Sequence, residues 1–184
     1  MHLQSFIWIF TMNKILLFSL SLLMALPRVS FSERVTININ ASVLERSCTI
    51  VNESLSLTIN LQGGDLRQSR IGVPFAGTSF SIKLNDCPEN ISSAYITFTG
   101  ESDTTMDNLL RNIDKTEMSA QGVALGLYDS DNNNIDIKNN KEILNIEHDL
   151  ATQIFNFSAY YVKTNDSAVA GKILSVIDFE LAYD

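Results

Sequence analysis

Along much of this chain every second residue is apolar, and this period-two alternation is the feature that most constrains its fold. Such alternation is typical of β-strands that bury one face and expose the other. Alternating or strongly apolar runs occur at residues 35–43, 55–59, 80–84, 95–98, 123–128, 154–162 and 177–183. Turns rich in Gly, Asn and Asp separate them, so the pattern predicts an antiparallel sandwich or barrel. Helical spacing occurs at residues 104–113, and we expect one short helix there.

The first 32 residues differ in composition from the rest of the chain. They contain no acidic residue and only two basic ones, Lys14 and Arg28. Residues 15–26 are almost wholly apolar, and the small-residue pattern Ser30-Phe31-Ser32 follows. A basic start, an apolar stretch of about a dozen residues and a small-residue exit describe a secretory signal peptide. We therefore expect residues 1–32 to be cleaved off during export.

Lys14 lies late for the basic start of a signal peptide if translation begins at Met1. Met12 stands two residues before it, as in a conventional start, and we expect Met12 to be the initiator. The alternative is a membrane anchor over residues 3–26. That anchor would place Lys14 near the middle of the bilayer, where a charge costs about 2.5–3.5 kcal/mol, so we favour the cleaved signal.

The two cysteines, Cys48 and Cys87, lie 39 positions apart in the exported part of the chain. Secreted proteins meet oxidising conditions, so we expect a disulfide between them. In the chain-entropy account, closing such a loop stabilises the fold by about 3–4 kcal/mol. The alternative is a pair of reduced, buried thiols. A redox-active pair is disfavoured because the spacing is unlike a CxxC motif.

The remaining charged residues favour neither a nucleic-acid-binding protein nor an enzyme. With 13 basic and 21 acidic side chains, the chain carries a net charge of −8, which argues against phosphate binding. His148 stands between Glu147 and Asp149 without a nucleophile motif, and we interpret it as a surface residue. We therefore predict no catalytic residue and no cofactor.

A calcium loop is suggested by Asp129, Asp131 and Asn133, which match its first three ligand positions. However, Asn134 and Asn140 stand where the loop needs a glycine and a bidentate glutamate. We therefore interpret this polar tract as a solvated turn and predict no metal site.

Both ends of the exported chain read as strands, whereas chain termini are usually polar and poorly ordered. Residues 33–43 lie outside the disulfide loop, and the alternation at 177–183 runs to the penultimate residue. A sheet that ends in this way has an open edge unless another segment covers it. From the pattern alone, residues 35–43 could be the first strand of a sandwich closed within its own chain, or a strand used by another chain.

Several sequence motifs, found in a fixed order along the chain, indicate what these two terminal segments do. The chain resembles the pilins of chaperone–usher pili, the type 1 fimbrial structural subunit family. The segments that carry the resemblance are Val35–Val43 before Ser47-Cys48-Thr49-Ile50, then Phe80–Cys87, Ile96–Gly100, Gly122–Asp129, Phe157–Tyr161, Val169-Ala170-Gly171 and Phe179–Asp184. The family carries a penultimate tyrosine and a glycine fourteenth from the end, and Tyr183 and Gly171 occupy those places.

The resemblance implies an all-β, immunoglobulin-like antiparallel sandwich that lacks its last strand. A donor strand from a chaperone or from a neighbouring subunit completes such a domain, and chaperone–pilin complexes are an established example of this strand addition. It divides the chain into a signal peptide at 1–32, an N-terminal donor-strand extension at 33–43 and a pilin domain at 44–184.

The resemblance also implies a role for individual residues. The donor strand would insert its alternate residues into the next subunit, namely Val35, Ile37, Ile39, Ala41 and Val43. The groove and the chaperone contacts would involve Gly171, Ile177, Phe179, Leu181, Tyr183 and Asp184, and the Cys48–Cys87 disulfide would stiffen the incomplete fold. The family usually has glycine in place of Ala41, so we expect a less standard fit at that point of the extension.

The function that follows from the resemblance is a structural, non-enzymatic subunit of a surface fimbrium that contributes to adhesion. Its partners would be a periplasmic pilus chaperone, an outer-membrane usher and other pilin subunits, and its route would lead through the periplasm to the cell surface. The alternative is a secreted carbohydrate-binding β-sandwich module. That module would need an exposed aromatic platform, and the one tryptophan of the chain lies in the predicted signal.

Overall fold

The computed structural model of the chain describes residues 47–183 and the backbone of residues 36–42. All of them belong to the unit Ser32–Asp184. This part contains, in order, β1 (Thr36–Ser42), β2 (Thr49–Ile50), α1 (Asn52–Leu55), β3 (Pro74–Asn85), β4 (Ser93–Gly100), β5 (Val123–Tyr128), β6 (Asn134–Ile135), β7 (Glu142–Asn145), β8 (Thr152–Lys163) and β9 (Leu174–Tyr183). The predicted signal peptide, Val35, Val43 and Asp184 lie outside the described residues.

The strands form two sheets. One has the order β1-β9-β4-β7 and the other the order β2-β3-β8-β5-β6. The ladders between the described strands are antiparallel except for that between β1 and β9, which is parallel. The prediction of an antiparallel, all-β sandwich is therefore confirmed.

One hydrophobic core holds the two sheets together. Phe98 of β4 meets Phe157 of β8 edge to face, with 5.1 Å between the ring centres, so the contact joins one sheet to the other. Buried aliphatic residues from both sheets surround this pair, including Ile82, Leu84, Ile96, Leu125, Leu127 and Ile177. The alternation that predicted strands at 80–84, 95–98 and 177–183 is the inward face of β3, β4 and β9. The apolar run at 123–128 is β5, which is buried on both faces, and the run at 154–162 lies in β8, where Ile154 is exposed.

The prediction of a helix at residues 104–113 is wrong. The segment forms irregular turns, and the Asp103 carboxylate accepts hydrogen bonds from the amides of Thr105 and Met106. Its apolar residues are spaced to cover β5 and β8, because Met106 and Leu109 pack with Ala124 and Val162 in a small separate cluster. The helix-like spacing of these apolar residues therefore reflects their packing on a sheet.

The prediction of a strand at residues 55–59 is also wrong. Residues 52–55 form α1, and the following residues make only isolated bridges around the buried Ile59. Ser54 explains the departure, since its buried hydroxyl accepts a hydrogen bond of 3.0 Å from the Lys83 amide of β3. A side-chain hydrogen bond therefore ties this turn to β3, at a place where a strand would form backbone hydrogen bonds.

Candidate functional site

The C-terminal strand β9 divides its residues sharply between two faces. Its inward residues are 3% exposed or less, and they are Ser175, Ile177, Phe179 and Leu181. The residues between them are partly or fully exposed. On one side β9 pairs with β4 in an antiparallel ladder, in which Phe179 lies opposite Phe98. This fixed ladder holds the inward face of β9 against the core.

The other edge of β9 is covered by the N-terminal strand of the same chain. The parallel register runs from Thr36 opposite Leu174 to Ser42 opposite Glu180. The carbonyl oxygen of Val176 points towards Gly100 of β4, where an added Cβ would approach it to 2.9 Å. Because amide directions alternate along a strand, the backbone groups of the odd-numbered residues of β9 face β1.

β1 also lies close to α1. This turn is tied to β3, because the Val51 amide donates to the Lys83 carbonyl at 3.0 Å in addition to the Ser54 bond. We call the space between β9 and α1, which β1 occupies here, the β9 groove. Its two sides are β9 itself and a turn fixed to the opposite sheet.

The structure brings together the two segments that the sequence assigned to donor and acceptor, within one chain. Ile37, Ile39 and Ala41 take the register positions opposite Ser175, Ile177 and Phe179. The apolar residues of the extension therefore pair with the buried residues of β9. The alternation of apolar residues predicted a strand at 35–43, and this prediction is confirmed over Thr36–Ser42.

Tyr183, predicted to contact a chaperone, turns its side chain inwards. Its ring packs against the main core. Its hydroxyl oxygen is buried and makes no hydrogen bond of ordinary geometry with the described residues, although the Cys48 backbone lies close enough to interact with it. Burial raises the pKa of Tyr183, and the nearby backbone of Cys48 offsets part of that rise. The tyrosine therefore places the end of β9 beside the start of the disulfide-linked segment.

Gly171, predicted to belong to the groove, lies three residues before β9 at a crossing of two backbones. A Cβ there would collide with the backbone of residues 118–120, since it would stand 2.5 Å from the Ala120 nitrogen. The two segments are hydrogen-bonded, and the Ala120 amide donates to the Lys172 carbonyl at 2.8 Å. Glycine is thus required here by a close approach of main chains.

The disulfide between Cys48 and Cys87 is present and joins the residue before β2 to the loop after β3. Cys48 is fully buried. Since Tyr183 lies beside the Cys48 backbone, the bridge also fixes the part of the chain that follows the extension relative to the end of β9.

Asn112 is a structurally important residue that no sequence pattern indicated. Its side-chain oxygen accepts hydrogen bonds from the amides of Asp114 and Leu174, each at 3.0 Å. Its side-chain nitrogen lies 2.9 Å from the Lys172 carbonyl and 3.0 Å from the Ala120 carbonyl. It therefore fixes the entry into β9. A lone asparagine in a loop has no spacing pattern that would have revealed this role.

The polar tract near Asp129 is a hydrogen-bonded turn. Burial alone would raise the pKa of Asp129, but hydrogen bonds from Asn133 and Asp131 outweigh it and hold that pKa below its usual value. Burial, together with the charge of Asp129, raises the pKa of Glu142. Within the described ranges, no three His, Cys, Asp or Glu residues are grouped as a metal site would require.

A family model described as "Fimbrial protein" matches residues 37–184. The chain belongs to the fimbrial protein family. It is a structural subunit of a fimbrium. The match covers the strand β1 as well as the sandwich, so both sides of the β9 groove lie within the family's own boundaries.

Curated relatives agree with this assignment. The subunit is 25% identical over 182 residues to long polar fimbria protein A of Salmonella typhimurium, covering 95% of this chain and 99% of the relative. It is 26% identical over 155 residues to the fimbrial subunit type 1 of Salmonella typhimurium, with 81% and 82% covered. Pilus subunits that polymerise at the cell surface are thus the class to which it belongs.

Solved structures show the same fold. The crystal structure of the P pilus rod subunit PapA matches with a TM-score of 0.55 and 15% identity, over 74% of this chain and 99% of that one. A chaperone–usher pilus structure matches with a TM-score of 0.57 and 17% identity, over 87% and 96%. The subunit therefore has the immunoglobulin-like pilin fold that lacks a strand. Among the residues described here, no helix is long and apolar enough to cross a membrane.

Proposed function

We propose that this subunit is a non-catalytic building block of a surface fimbrium that polymerises by strand exchange at the β9 groove. The observation that carries the proposal is the edge of β9, where four buried residues and an alternating set of backbone groups are covered by one added strand. An uncovered edge of this kind readily accepts a strand from another chain. Residues 33–43 supply that strand to the next subunit.

The extension suits this role because its residues 35–43 combine alternation with the absence of charge. Residues 35–43 contain no charged side chain, and every second one is apolar. A large aliphatic residue gains roughly 1.5–3 kcal/mol when it is buried. Ala41 offers less apolar surface than the valines and isoleucines of the extension, and more than a glycine would. The extension can therefore bind a groove through both main-chain hydrogen bonds and apolar contacts.

A periplasmic chaperone holds the subunit before assembly and an outer-membrane usher passes it to the surface, where the fimbrium contributes to adhesion. The chaperone recognises the backbone edge of β9 and the Asp184 carboxylate. The burial of the Tyr183 hydroxyl supports this choice of contacts, because a partner cannot reach that hydroxyl at the surface.

The role of the extension is tested by deleting residues 33–43 from the exported subunit. Capture by the chaperone should persist, because the groove remains, while insertion into the next subunit should be lost. A matched control replaces the extension by one of identical composition in which apolar and polar positions are exchanged. We expect that control also to fail in insertion. Loss of chaperone capture on deletion, or insertion by the exchanged control, would contradict the proposal.

A further inference from the structure

The two ends of the sandwich differ in their surface chemistry. Seven large hydrophobic residues are exposed in the part of the chain that the structure describes, and four of them lie at one end. Backbone contacts hold this end together, because Ile71 bridges to Lys163, and Lys172 donates its amide to the Met118 carbonyl at 2.7 Å. We call it the apolar end, and its exposed apolar residues are Ile71, Val73, Met118 and Val169.

The apolar end carries more basic than acidic residues, although the chain as a whole has a net charge of −8. Its basic residues are Arg70, Lys115, Lys163 and Lys172, and its acidic residues are Asp114, Glu117 and Asp166. Lys163 and Lys172 are partly exposed and form no salt bridge with another described residue, although Lys172 lies near enough to Asp114 for their charges to interact. Both amines are therefore able to pair with carboxylates of another chain.

The opposite end is acidic. There the loop after β3, which contains Cys87, and the residues before β8 line one surface pocket. Gln153 fixes the second of these segments, because its side-chain nitrogen donates to the Glu147 and Leu150 carbonyls at 2.7 Å and 3.0 Å. Residues 85–92 and 147–152 contain no lysine or arginine. We call this the disulfide end, and its exposed carboxylates are Asp86, Glu89, Glu147 and Asp149.

The proposed strand exchange brings a neighbouring subunit to one end of β9. Six residue steps separate Ser42 of an extension from Cys48 of the same chain, and an extended chain of that length reaches about 20 Å. Leu174 and Tyr183, at the two ends of β9, lie about 30 Å apart. Cys48 belongs to the disulfide end through its bond to Cys87. The neighbour that fills the groove must therefore hold its own disulfide end against one end of the acceptor.

Charge decides between the two ends of the acceptor. β9 begins two residues after Lys172, at the apolar end, and finishes beside Cys48, at the disulfide end. Two disulfide ends in contact would bring two sets of carboxylates together, and like charges at close range repel each other. The apolar end instead offers lysines to these carboxylates, and apolar surface to Leu150, which is exposed at the disulfide end.

We propose that in the fibre the apolar end of each subunit docks against the disulfide end of the neighbour whose extension fills its groove. The partner is a second copy of this chain, and the contact rests on the proposed function, because strand exchange brings the two ends together. The exchanged strand supplies main-chain hydrogen bonds, and the docked ends fix the orientation of one subunit on the next. Lys163 and Lys172 pair with carboxylates of the disulfide end, while the four apolar residues are removed from water.

The contact is tested in fibres assembled from chaperone complexes of the exported subunit, with light and heavy nitrogen in equal amounts. A carbodiimide, which joins an amine directly to a carboxylate, is applied, and linked peptides are mapped by mass spectrometry. Lys138 is the matched control, because it lies between β6 and β7, at neither end. We expect light–heavy links from Lys163 or Lys172 to the disulfide end, at least ten-fold above those from Lys138. Links at the level of Lys138, or the same links in chaperone complexes before assembly, would overturn the proposal.

A pair of variants tests the apolar surface. Met118→Glu with Val169→Glu places two carboxylates on the apolar end, and the light–heavy links between the ends should fall at least ten-fold. Ile143→Glu, at an exposed residue of β7, is the control and should leave these links within about two-fold. Equal effects of the two changes would overturn the proposal. Chaperone capture shows whether each variant folds, and if one does not, the links of the unaltered subunit decide.

Strand exchange is measured separately in the same fibres, by a photo-cross-linking residue in place of Asn40. Links from residue 40 to β9 of another chain, without links between the two ends, refute the docking of the ends alone. Links between the two ends, without links from residue 40 to another chain, refute the strand exchange alone.

Discussion

The hydroxyl of Tyr183 is buried and makes no hydrogen bond of ordinary geometry with the described residues, although the Cys48 backbone lies close to it. Tyr183→Phe removes only this group, so we expect the free energy of unfolding to stay within about 1 kcal/mol of its original value or to rise. Chaperone capture should be unchanged. Tyr183→Ala removes the ring from the core and should lower the free energy of unfolding by about 2–3 kcal/mol. Urea denaturation and a capture assay measure both effects, and a loss of capture in Tyr183→Phe would show that a partner reads the hydroxyl.

Asn112 joins the loop before it to the entry of β9 through its side-chain amide. Asn112→Ala leaves the Leu174 amide and the Lys172 carbonyl without this partner. We expect the free energy of unfolding to fall by about 1–3 kcal/mol, as is usual when buried groups lose a hydrogen bond. Asn139→Ala, at an exposed asparagine, is the control and should change it by less than about 0.5 kcal/mol. Similar effects of the two substitutions in urea denaturation would contradict this account.

Among the elements, β9 and its partner strand depend on alternation more than on any single residue. Ile39 takes the register position of the buried Ile177, and Asn38 that of the partly exposed Val176. Ile39→Ser should reduce incorporation of the subunit into fibres at least ten-fold, because it removes an apolar residue from the groove position. Asn38→Ser should leave incorporation within about two-fold. The measurement is the amount of tagged subunit in purified fibres.

Comparable losses from both substitutions would mean that the alternation of the extension has no part in binding. Comparable incorporation of both would mean that the main-chain hydrogen bonds suffice. Either result would contradict the register described here.

The long strands were predictable from the sequence because each contains enough alternating apolar and polar residues for the pattern to be recognised. β3, β8 and β9 are 10–12 residues long, and their buried positions repeat every second residue over 80–84 in β3, 157–161 in β8 and 175–181 in β9. β2, β6 and β7 have two to four residues, too few for a period to be visible. The helix predicted at residues 104–113 is absent because their apolar residues are spaced to pack on β5 and β8. The strand predicted at residues 55–59 is absent because a turn held by the Ser54 side chain comes before them.

The candidate site was predictable in its parts and not in its arrangement. The alternation marked β1 and β9 as strands, and export marked Cys48 and Cys87 as a pair. Which strand covers which edge, and in which direction, depends on distant parts of the chain. The parallel pairing of Thr36–Ser42 with Leu174–Glu180 follows from a short connection to a disulfide-fixed segment, which local patterns do not reveal.

At the scale of the whole molecule, the subunit is a sandwich whose final edge is covered by β1. We propose that in the fibre the extension of a neighbouring subunit takes this place. A fimbrium is then a series of domains in which each one is completed by its neighbour. This exchange is the central claim.

It is tested most directly by isotopes in assembled fibres. Subunits carrying a photo-cross-linking residue in place of Asn40 are produced in equal amounts with light and heavy nitrogen, mixed as chaperone complexes and assembled. Links from residue 40 to peptides of β9 are then analysed by mass spectrometry. The account predicts that about half of these links join a light and a heavy peptide, as random pairing between different chains requires. Links that join only peptides of the same isotope would show that each subunit keeps its own strand in the fibre, and would contradict the account.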